Sequence, residues 1–194
     1  MAIHGVIFDM DGTLTTMCFD FDRIKAEANV GDVDLLDHLG LVRGAERARL
    51  HRIIVKYENQ AAARTKLNCG ARTVLRGLRQ RGLPTALLTR NSRRSVDLVC
   101  HRLELNFDIA VSREDGPYKP SPEPIRNIAR CWGAKPCELL MVGDYKWDVL
   151  CARNAGARSV VLVERGALPP WAEDAEFVIR RLTGVLEIVD KEAA

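Results

Sequence analysis

Nowhere in the chain do about eighteen apolar residues run together, so the sequence pattern offers no membrane-spanning helix. The amino terminus lacks a charged region, a long apolar core and a cleavage site, and export is not expected. The six cysteines, Cys18, Cys69, Cys100, Cys131, Cys137 and Cys151, form no C-x-x-C pair. Neither a disulfide framework nor a zinc site is therefore suggested, and reduced thiols fit a cytoplasmic protein. The formal charge of +3 comes without a basic tail, zinc-finger spacing or aromatic RNA-binding signature, which sets nucleic acid aside as a partner. Aromatics make up only 6%, and Trp132, Trp147 and Trp171 are so scattered that they are expected to pack helices and loops rather than a ligand. His4, His38, His51 and His101 sit at no ligand spacing from one another. Repeats and low-complexity segments are absent as well.

What is present is an ordinary globular composition, 47% hydrophobic and 28% charged over 194 residues, enough for one core and a small accessory lobe. The chain is organised around His4 to Leu14, where a short apolar run ends in Asp9, Asp11, Gly12 and Thr13. That reads as a buried strand feeding a tight turn. Separated by one residue, Asp9 and Asp11 can share a face at the strand end while Gly12 turns the backbone away. One acid can then serve as nucleophile or metal ligand and the other handle protons. The plainer alternative is a strand followed by an Asp-Gly turn.

Cys18 to Leu41 spaces Phe19, Phe21, Ile24, Val30, Leu35, Leu36 and Leu39 as two short helices broken near Gly31 and Gly40, an insertion between core elements. Gly44 to Leu67 predicts a longer helix with Leu50, Ile53, Ile54, Tyr57 and Ala61 on one side. Arg47, Arg49, Arg52, Lys56 and Arg64 surround that side, either as a solvated face or as a basic cover that steers anionic substrates. From Gly70 strands and helices alternate. Helices are expected at Thr73 to Arg81, Ser92 to Leu105, Ser121 to Trp132 and Trp147 to Asn154, the last closed by Gly156. Strands are expected at 84–89, 107–112, 138–143, 159–163 and 177–179, with a turn at 166–170 and a frayed tail from Lys191 to Ala194. Such alternation predicts an α/β fold, a parallel sheet with helices on both faces and its ligand site outside the carboxyl ends of the strands.

Three predicted strands bring polar groups to that rim. The first ends in Asp9 and Asp11, the second in Thr89, Arg90 and Asn91, and the strand at 138–143 in Asp144. Asp148 follows four residues later, so Asp9, Asp144 and Asp148 make an oxygen-only cluster suited to Mg²⁺. Lys119 lies in Tyr118-Lys-Pro-Ser-Pro122, where Pro122 and Pro124 can open a helix and hold Lys119 toward the acids; the plainer alternatives are a solvated turn lysine and a polyproline-like spacing. Asn91 either adds a hydrogen bond near the site or caps the next helix. Arg90, Arg93 and Arg94 either bind a second anionic group or form a solvated helix start.

Taken together, Asp-x-Asp-Gly-Thr, a strand-end Thr, Lys-Pro and Gly-Asp-x-x-x-Asp, in this order, resemble the haloacid dehalogenase-like hydrolase superfamily. The insertion resembles the small cap of the branch that includes phosphoglycolate phosphatases and β-phosphoglucomutases. The resemblance implies a Rossmann-like core, residues 1–16 and 70–194, and a helical cap, residues 17–69, that closes over the site. It implies that Asp9 attacks phosphorus to form an aspartyl-phosphate and that Asp11 protonates the leaving oxygen, then activates water. Thr89 and Lys119, with Asn91 nearby, would hold the phosphoryl group. Asp144, Asp148, Asp9 and the backbone carbonyl of Asp11 would anchor Mg²⁺.

Tyr118 stands where that family commonly has Gly, and Tyr145 where a small hydroxyl residue is frequent. The expected activity is a Mg²⁺-dependent phosphatase acting on a small phosphorylated metabolite. A mutase would share the core, and a phospho-accepting signalling module would use a similar acid without Asp11. A dehalogenase would lack Asp11. Neither the substrate's identity nor the oligomeric state is legible.

Overall fold

The computed structural model describes residues 2–193. Six strands, β1 (Gly5–Phe8), β2 (Thr85–Leu88), β3 (Ile109–Val111), β4 (Leu139–Gly143), β5 (Arg158–Leu162) and β6 (Phe177–Ile179), form one parallel sheet. Their order is β3-β2-β1-β4-β5-β6, so the chain reverses direction across the sheet beside β1. Crevices outside such a reversal are where open α/β sheets bind ligands.

Continuous apolar runs make the central strands, because both faces of the sheet are covered. Gly-Val-Ile-Phe in β1 and Leu-Leu-Met-Val-Gly in β4 are buried throughout. Side chains alternate between faces. Val6, Phe8, Leu140 and Val142 enter one core with Val74, Leu78 and Val185, while Ile7, Leu139 and Met141 enter another with Ile125, Ile128 and Ala152. Those partners come from α4 (Ala71–Gln80) and α8 (Gly184–Ala193) on one side, and α6 (Glu123–Cys131) and α7 (Lys146–Ala155) on the other. A fully buried Leu, Ile or Phe of this kind contributes about 1.5–3 kcal/mol. At Gly5 a Cβ would lie 2.4 Å from the Trp132 ring, so only glycine lets α6 settle on β1 here.

Between β1 and α4 the chain leaves the sheet for three helices, α1 (Phe21–Ala28), α2 (Leu35–Leu41) and α3 (Gly44–Arg64). They bury a cluster of their own, Ile24, Ala28, Leu39, Leu50, Ile53, Ile54 and Tyr57. Asp20 caps α1 through the Arg23 amide at 3.0 Å, and Asp34 caps α2 through the Leu36 and Asp37 amides at 3.0 and 3.1 Å. After β2, α5 (Arg93–Leu103) is capped by Ser92, which accepts from the Ser95 amide at 3.3 Å.

Several boundaries differ from expectation. Gly40 does not break a helix but lies inside α2, which stops where Val42 turns extended, and α1 ends at Asn29 in a left-handed conformation rather than at Gly31. Helix α3 stops at Arg64 instead of Leu67, because Thr65 turns extended and the chain returns beside Thr15 and Thr16. The tail is no frayed end through Lys191 to Ala193. Those residues close α8, anchored by buried Val185, Ile188 and Val189, while Ala194 lies outside the described residues. Helix α8 escaped notice because Val185, Ile188 and Val189 make an apolar stripe too short to stand out beside the charged tail. Among the described residues, no helix is long and apolar enough to cross a membrane.

Candidate active site

Every expected site residue reaches the carboxyl end of the sheet, and all seven line one cavity of ≈ 540 Å³ beneath α1–α3. Asp9 follows β1 directly, its amide donating to Val142 O in β4 at 2.9 Å. The turn after it is closed by the Gly12 amide on Thr15 O at 2.7 Å and the Thr15 amide on Met10 O at 2.8 Å. Gly12 has φ +86°, and a Cβ there would lie 2.1 Å from Asp144 Oδ2. Glycine is required twice over, for the backbone and for the approach of β1's turn to Asp144. Gly143 has the same steric role toward Asp148, at 2.1 Å.

The acids form a compact group. Asp9, Asp144 and Asp148 each offer a carboxylate oxygen within 4.8 Å of the others. Lys119 Nζ sits among them, donating to Asp9 Oδ1 and, at 2.6 Å, to Asp148 Oδ1. Thr13 Oγ1 donates to Asp144 Oδ1 at 3.0 Å, and the Tyr145 amide donates to Asp148 Oδ2 at 3.1 Å. Asp11 lines the same cavity outside that three-acid group, and its Oδ2 accepts from Asn91 Nδ2 at 2.6 Å. The cap of the helix that follows is Ser92, not Asn91. Thr89 Oγ1 accepts from the Asn91 amide at 3.2 Å and faces the cavity.

Burial sets the charge state of the group. It pushes the Asp144 carboxyl up to about 8, aided by the charges of Asp9 and Asp148. Asp11 rises to about 7, first through burial and then through the charge of Asp9. For Asp9 burial outweighs the charge of Lys119 and pushes the carboxyl up to about 6. Burial works against a charged Lys119, but the carboxylates of Asp148 and Asp9 overcome it and hold the ammonium protonated.

Some residues had escaped the sequence reading. Asn68 Nδ2 donates to Gly12 O at 3.1 Å and Thr13 O at 2.9 Å, fixing the turn from a position 55 residues away. Its loop position carries no sequence signal. Glu58 does carry one, because Leu50, Ile54 and Glu58 follow at i, i+4 spacing and place an acid on an apolar stripe. Arg90 is neither solvated nor free: it binds Asp34, the cap of α2, at 2.8 and 2.7 Å and lies 5.4 Å from the ring centroids of both Tyr118 and Trp147. Trp147 packs against Arg90 and Tyr145 and also lines the cavity. Arg93 bonds Ala110 O and Asp115, and neither it nor Arg94 reaches the cavity. The basic residues of α3 do not face the site either. Arg47 and Arg49 bind carbonyls of α2 and α1, and Lys56 pairs with Glu27 at 2.8 Å.

A parallel sheet with acids at the ends of its central strands gathers the candidate site at one rim, and comparison with known proteins identifies the class. The family model for haloacid dehalogenase-like hydrolases matches residues 3–156, and the chain belongs to that family. It is 35% identical over 182 residues to a haloacid dehalogenase-like hydrolase domain-containing protein of Arabidopsis thaliana, covering 87% of this chain and 74% of that protein. With the pyrophosphatase PpaX of Halalkalibacterium halodurans it shares 27% identity over 215 residues and the full length of both. A crystal structure of a hydrolase from Pseudomonas syringae has the same fold, with a TM-score of 0.81 at 24% identity over 97% of this chain and 98% of that one.

Proposed function

We propose that this hydrolase is a Mg²⁺-dependent phosphatase of a small phosphorylated metabolite, working through an aspartyl-phosphate on Asp9. The observation that carries the reading is that Asp9 and Asp11, one residue apart, line one cavity with different partners. Asp9 is held by Lys119 within the acid cluster, and Asp11 is held outside it by Asn91. Two carboxylates one residue apart thus face different tasks. The kinship with a pyrophosphatase and the ≈ 540 Å³ cavity below α1–α3 agree with a small phosphate compound as substrate. In this reading residues 17–69 act as a cap and residues 1–16 and 70–194 as the catalytic core.

Mg²⁺ fits the donor set. Three carboxylate oxygens within 4.8 Å make a hard, anionic, all-oxygen group that the single ammonium of Lys119 does not neutralise. Asp9, Asp144 and Asp148 would hold the ion, with the backbone carbonyl of Asp11. When bound, it would supply positive charge to offset repulsion between carboxylate and phosphate.

The chain's own groups account for the remaining chemistry. One oxygen of Asp9 attacks phosphorus while the bond to the leaving oxygen breaks, and Asp11 delivers its proton to that oxygen. Burial suits Asp11 to this role, since a carboxyl pushed up to about 7 is shared between its protonated and ionised forms near neutrality and can both give and take a proton. In the second half Asp11, now ionised, takes a proton from the water that attacks the aspartyl-phosphate. Inorganic phosphate leaves and Asp9 is restored. Lys119 has three donors, of which two are engaged by Asp9 and Asp148, so one remains for a phosphoryl oxygen. Thr89 adds a hydroxyl without adding charge.

Phosphate release from a panel of phosphomonoesters, with and without Mg²⁺, tests the reading against Asp9→Asn. Metal-dependent turnover that the substitution lowers by at least about 10³-fold is expected. Turnover that survives Asp9→Asn, or none from any ester while Asp9 becomes stably phosphorylated by a small phosphodonor, would overturn it.

A further inference from the structure

Helix α7 carries Asp148 in its first turn and meets the loop of Lys119 at two further points. The Cys151 thiol donates to Ser121 O at 3.0 Å, and Asn154 Nδ2 donates to Pro120 O at 3.0 Å. Asp148 itself accepts from Lys119 Nζ at 2.6 Å. Asp148, Cys151 and Asn154 follow at intervals of three, which sets them along one stripe of the helix. One rigid element thus engages the side chain of Lys119 and the carbonyls of the two residues that follow it.

The two contacts lie in opposite surroundings. Cys151 is fully buried, and burial pushes its thiol up to about 12, which keeps it in the S–H form that can donate. Asn154 is exposed, and its backbone carbonyl accepts from Arg126 Nη2 of α6 at 3.0 Å. Lys119 has need of such a frame. Its ammonium ends a flexible stem of four carbons, and attraction to Asp9 and Asp148 fixes only the tip. The three N–H bonds are staggered about Cε–Nζ, so the aim of the one not taken by Asp9 or Asp148 depends on where the stem comes from. That origin is the backbone of a loop, and loops shift more readily than helices unless their polar groups are tied down.

We propose that Cys151 and Asn154 are positioning residues, which tie the Lys119 loop to the helix that bears Asp148 so that the third ammonium donor keeps its aim at the phosphoryl group. The effect on turnover rests on the phosphatase reading, whereas the tie itself does not. Neither residue touches substrate. Both act through Lys119, by keeping its backbone and the Asp148 carboxylate in one frame.

The test measures amide hydrogen exchange and phosphate release side by side, with Mg²⁺ present, in the native protein, Cys151→Ala, Cys151→Ser and Asn154→Ala. Residues 118–122 carry amides only at Tyr118, Lys119 and Ser121, and the Ser121 amide donates to Tyr118 O at 2.9 Å. Exchange there should quicken by about 3- to 10-fold in both Ala variants, while the amides of α7 and β4 keep their native rates. For the ester turned over fastest, kcat should fall by about 3- to 10-fold in each and by about 100-fold in the double variant. It should fall more than KM rises, because the ammonium matters most where charge develops. Cys151→Ser, whose hydroxyl can still donate to Ser121 O, should keep native exchange and at least about half of the native kcat. Because Asn154 lies at the surface, Asn154→Ala carries the test alone should a change at buried Cys151 prevent folding.

Unchanged loop exchange in the Ala variants, or equal losses in Cys151→Ser and Cys151→Ala, would overturn the tie whether or not any ester turns over. Faster loop exchange with kcat untouched would overturn the positioning role and leave the phosphatase reading standing. Faster exchange confined to the loop, in a protein that releases no phosphate from any ester, would uphold the tie and overturn the phosphatase reading alone.

Discussion

Arg90, just beyond the end of β2, grips Asp34 at the start of α2 through two parallel hydrogen bonds of 2.8 and 2.7 Å. The same carboxylate caps α2, so one side chain both begins a helix of the lobe and fastens that lobe to the sheet. The charge of Arg90 holds Asp34 below the usual carboxylate range, although burial pulls the other way. Bidentate pairing of this kind is stronger than an ordinary ion pair.

Either Arg90→Ala or Asp34→Ala is therefore expected to cost about 1–3 kcal/mol, lowering the melting temperature by roughly 2–10 °C at this chain length. The double variant should cost less than the sum of the two. KM for a phosphomonoester should rise more than kcat falls, because closure over the cavity is weakened. A thermal melt and a substrate titration check this. Additive losses would mean that the contact carries no coupling.

Substitutions at glycine separate backbone strain from collision. Gly12→Ala meets both, with φ +86° and a Cβ 2.1 Å from Asp144 Oδ2. Gly143→Ala meets collision alone, with a Cβ 2.1 Å from Asp148 Cγ. Gly44→Ala has strain alone, φ +57° with nothing within 4 Å. Both site variants should lose at least about 100-fold in phosphate release, as misplacement of a reacting group by about 1 Å does. Gly44→Ala should cost about 1 kcal/mol of stability and retain activity.

Stability without metal should fall as pH rises. Asp9, Asp11 and Asp144 titrate near 6, 7 and 8 in the folded protein, above the ordinary 3.8. Between about pH 4 and 8 the folded state consequently binds more protons than the unfolded chain, and its stability declines with pH. Their contribution is complete below about pH 4 and is lost as pH rises through 6 to 8. Melting curves in a chelator should shift downward from pH 5 to pH 8, and Asp144→Asn should flatten that slope. Mg²⁺ should raise the melting temperature more at pH 8 than at pH 5. A melting temperature that climbs over this range contradicts the assignment.

Asp11→Asn removes the proton donor and leaves the nucleophile. Turnover of alkyl phosphates should drop by about 10²- to 10⁴-fold. The deficit should be smaller for the first step with p-nitrophenyl phosphate, whose leaving group needs no proton. Because the same residue activates water, phosphorylated Asp9 should accumulate and be detectable by intact mass. Equal slowing of both substrates, with no accumulation, would remove Asp11 from proton transfer.

Much of this was legible along the chain. Hydrophobic runs placed β1, β2 and β4, since strands buried on both faces need no partner information to be seen. The acids were equally visible, as each follows its strand directly. The short β3, only Ile109–Val111 and half-buried, was placed less sharply, and α8 was missed. Short stripes carry too few turns to fix a period. The basic character of α3 was also visible, but its destination was not. Arg47, Arg49 and Lys56 are spent inside the lobe, on groups of α1 and α2, rather than on substrate.

The sequence by itself determined which residues end the strands, and with them the fold class and the identities of Asp9, Asp11, Thr89, Lys119, Asp144 and Asp148. Periodicity and strand-end position are local properties, written within a few residues. Only the tertiary structure decided that Asn91 holds Asp11, that Asn68 fixes the turn of β1, that Arg90 clasps Asp34 and that Glu58 is buried against Arg113. Those pairs are separated by 80, 55, 56 and 55 residues, and their meeting depends on the path of the chain over the sheet and on how the lobe folds back onto it.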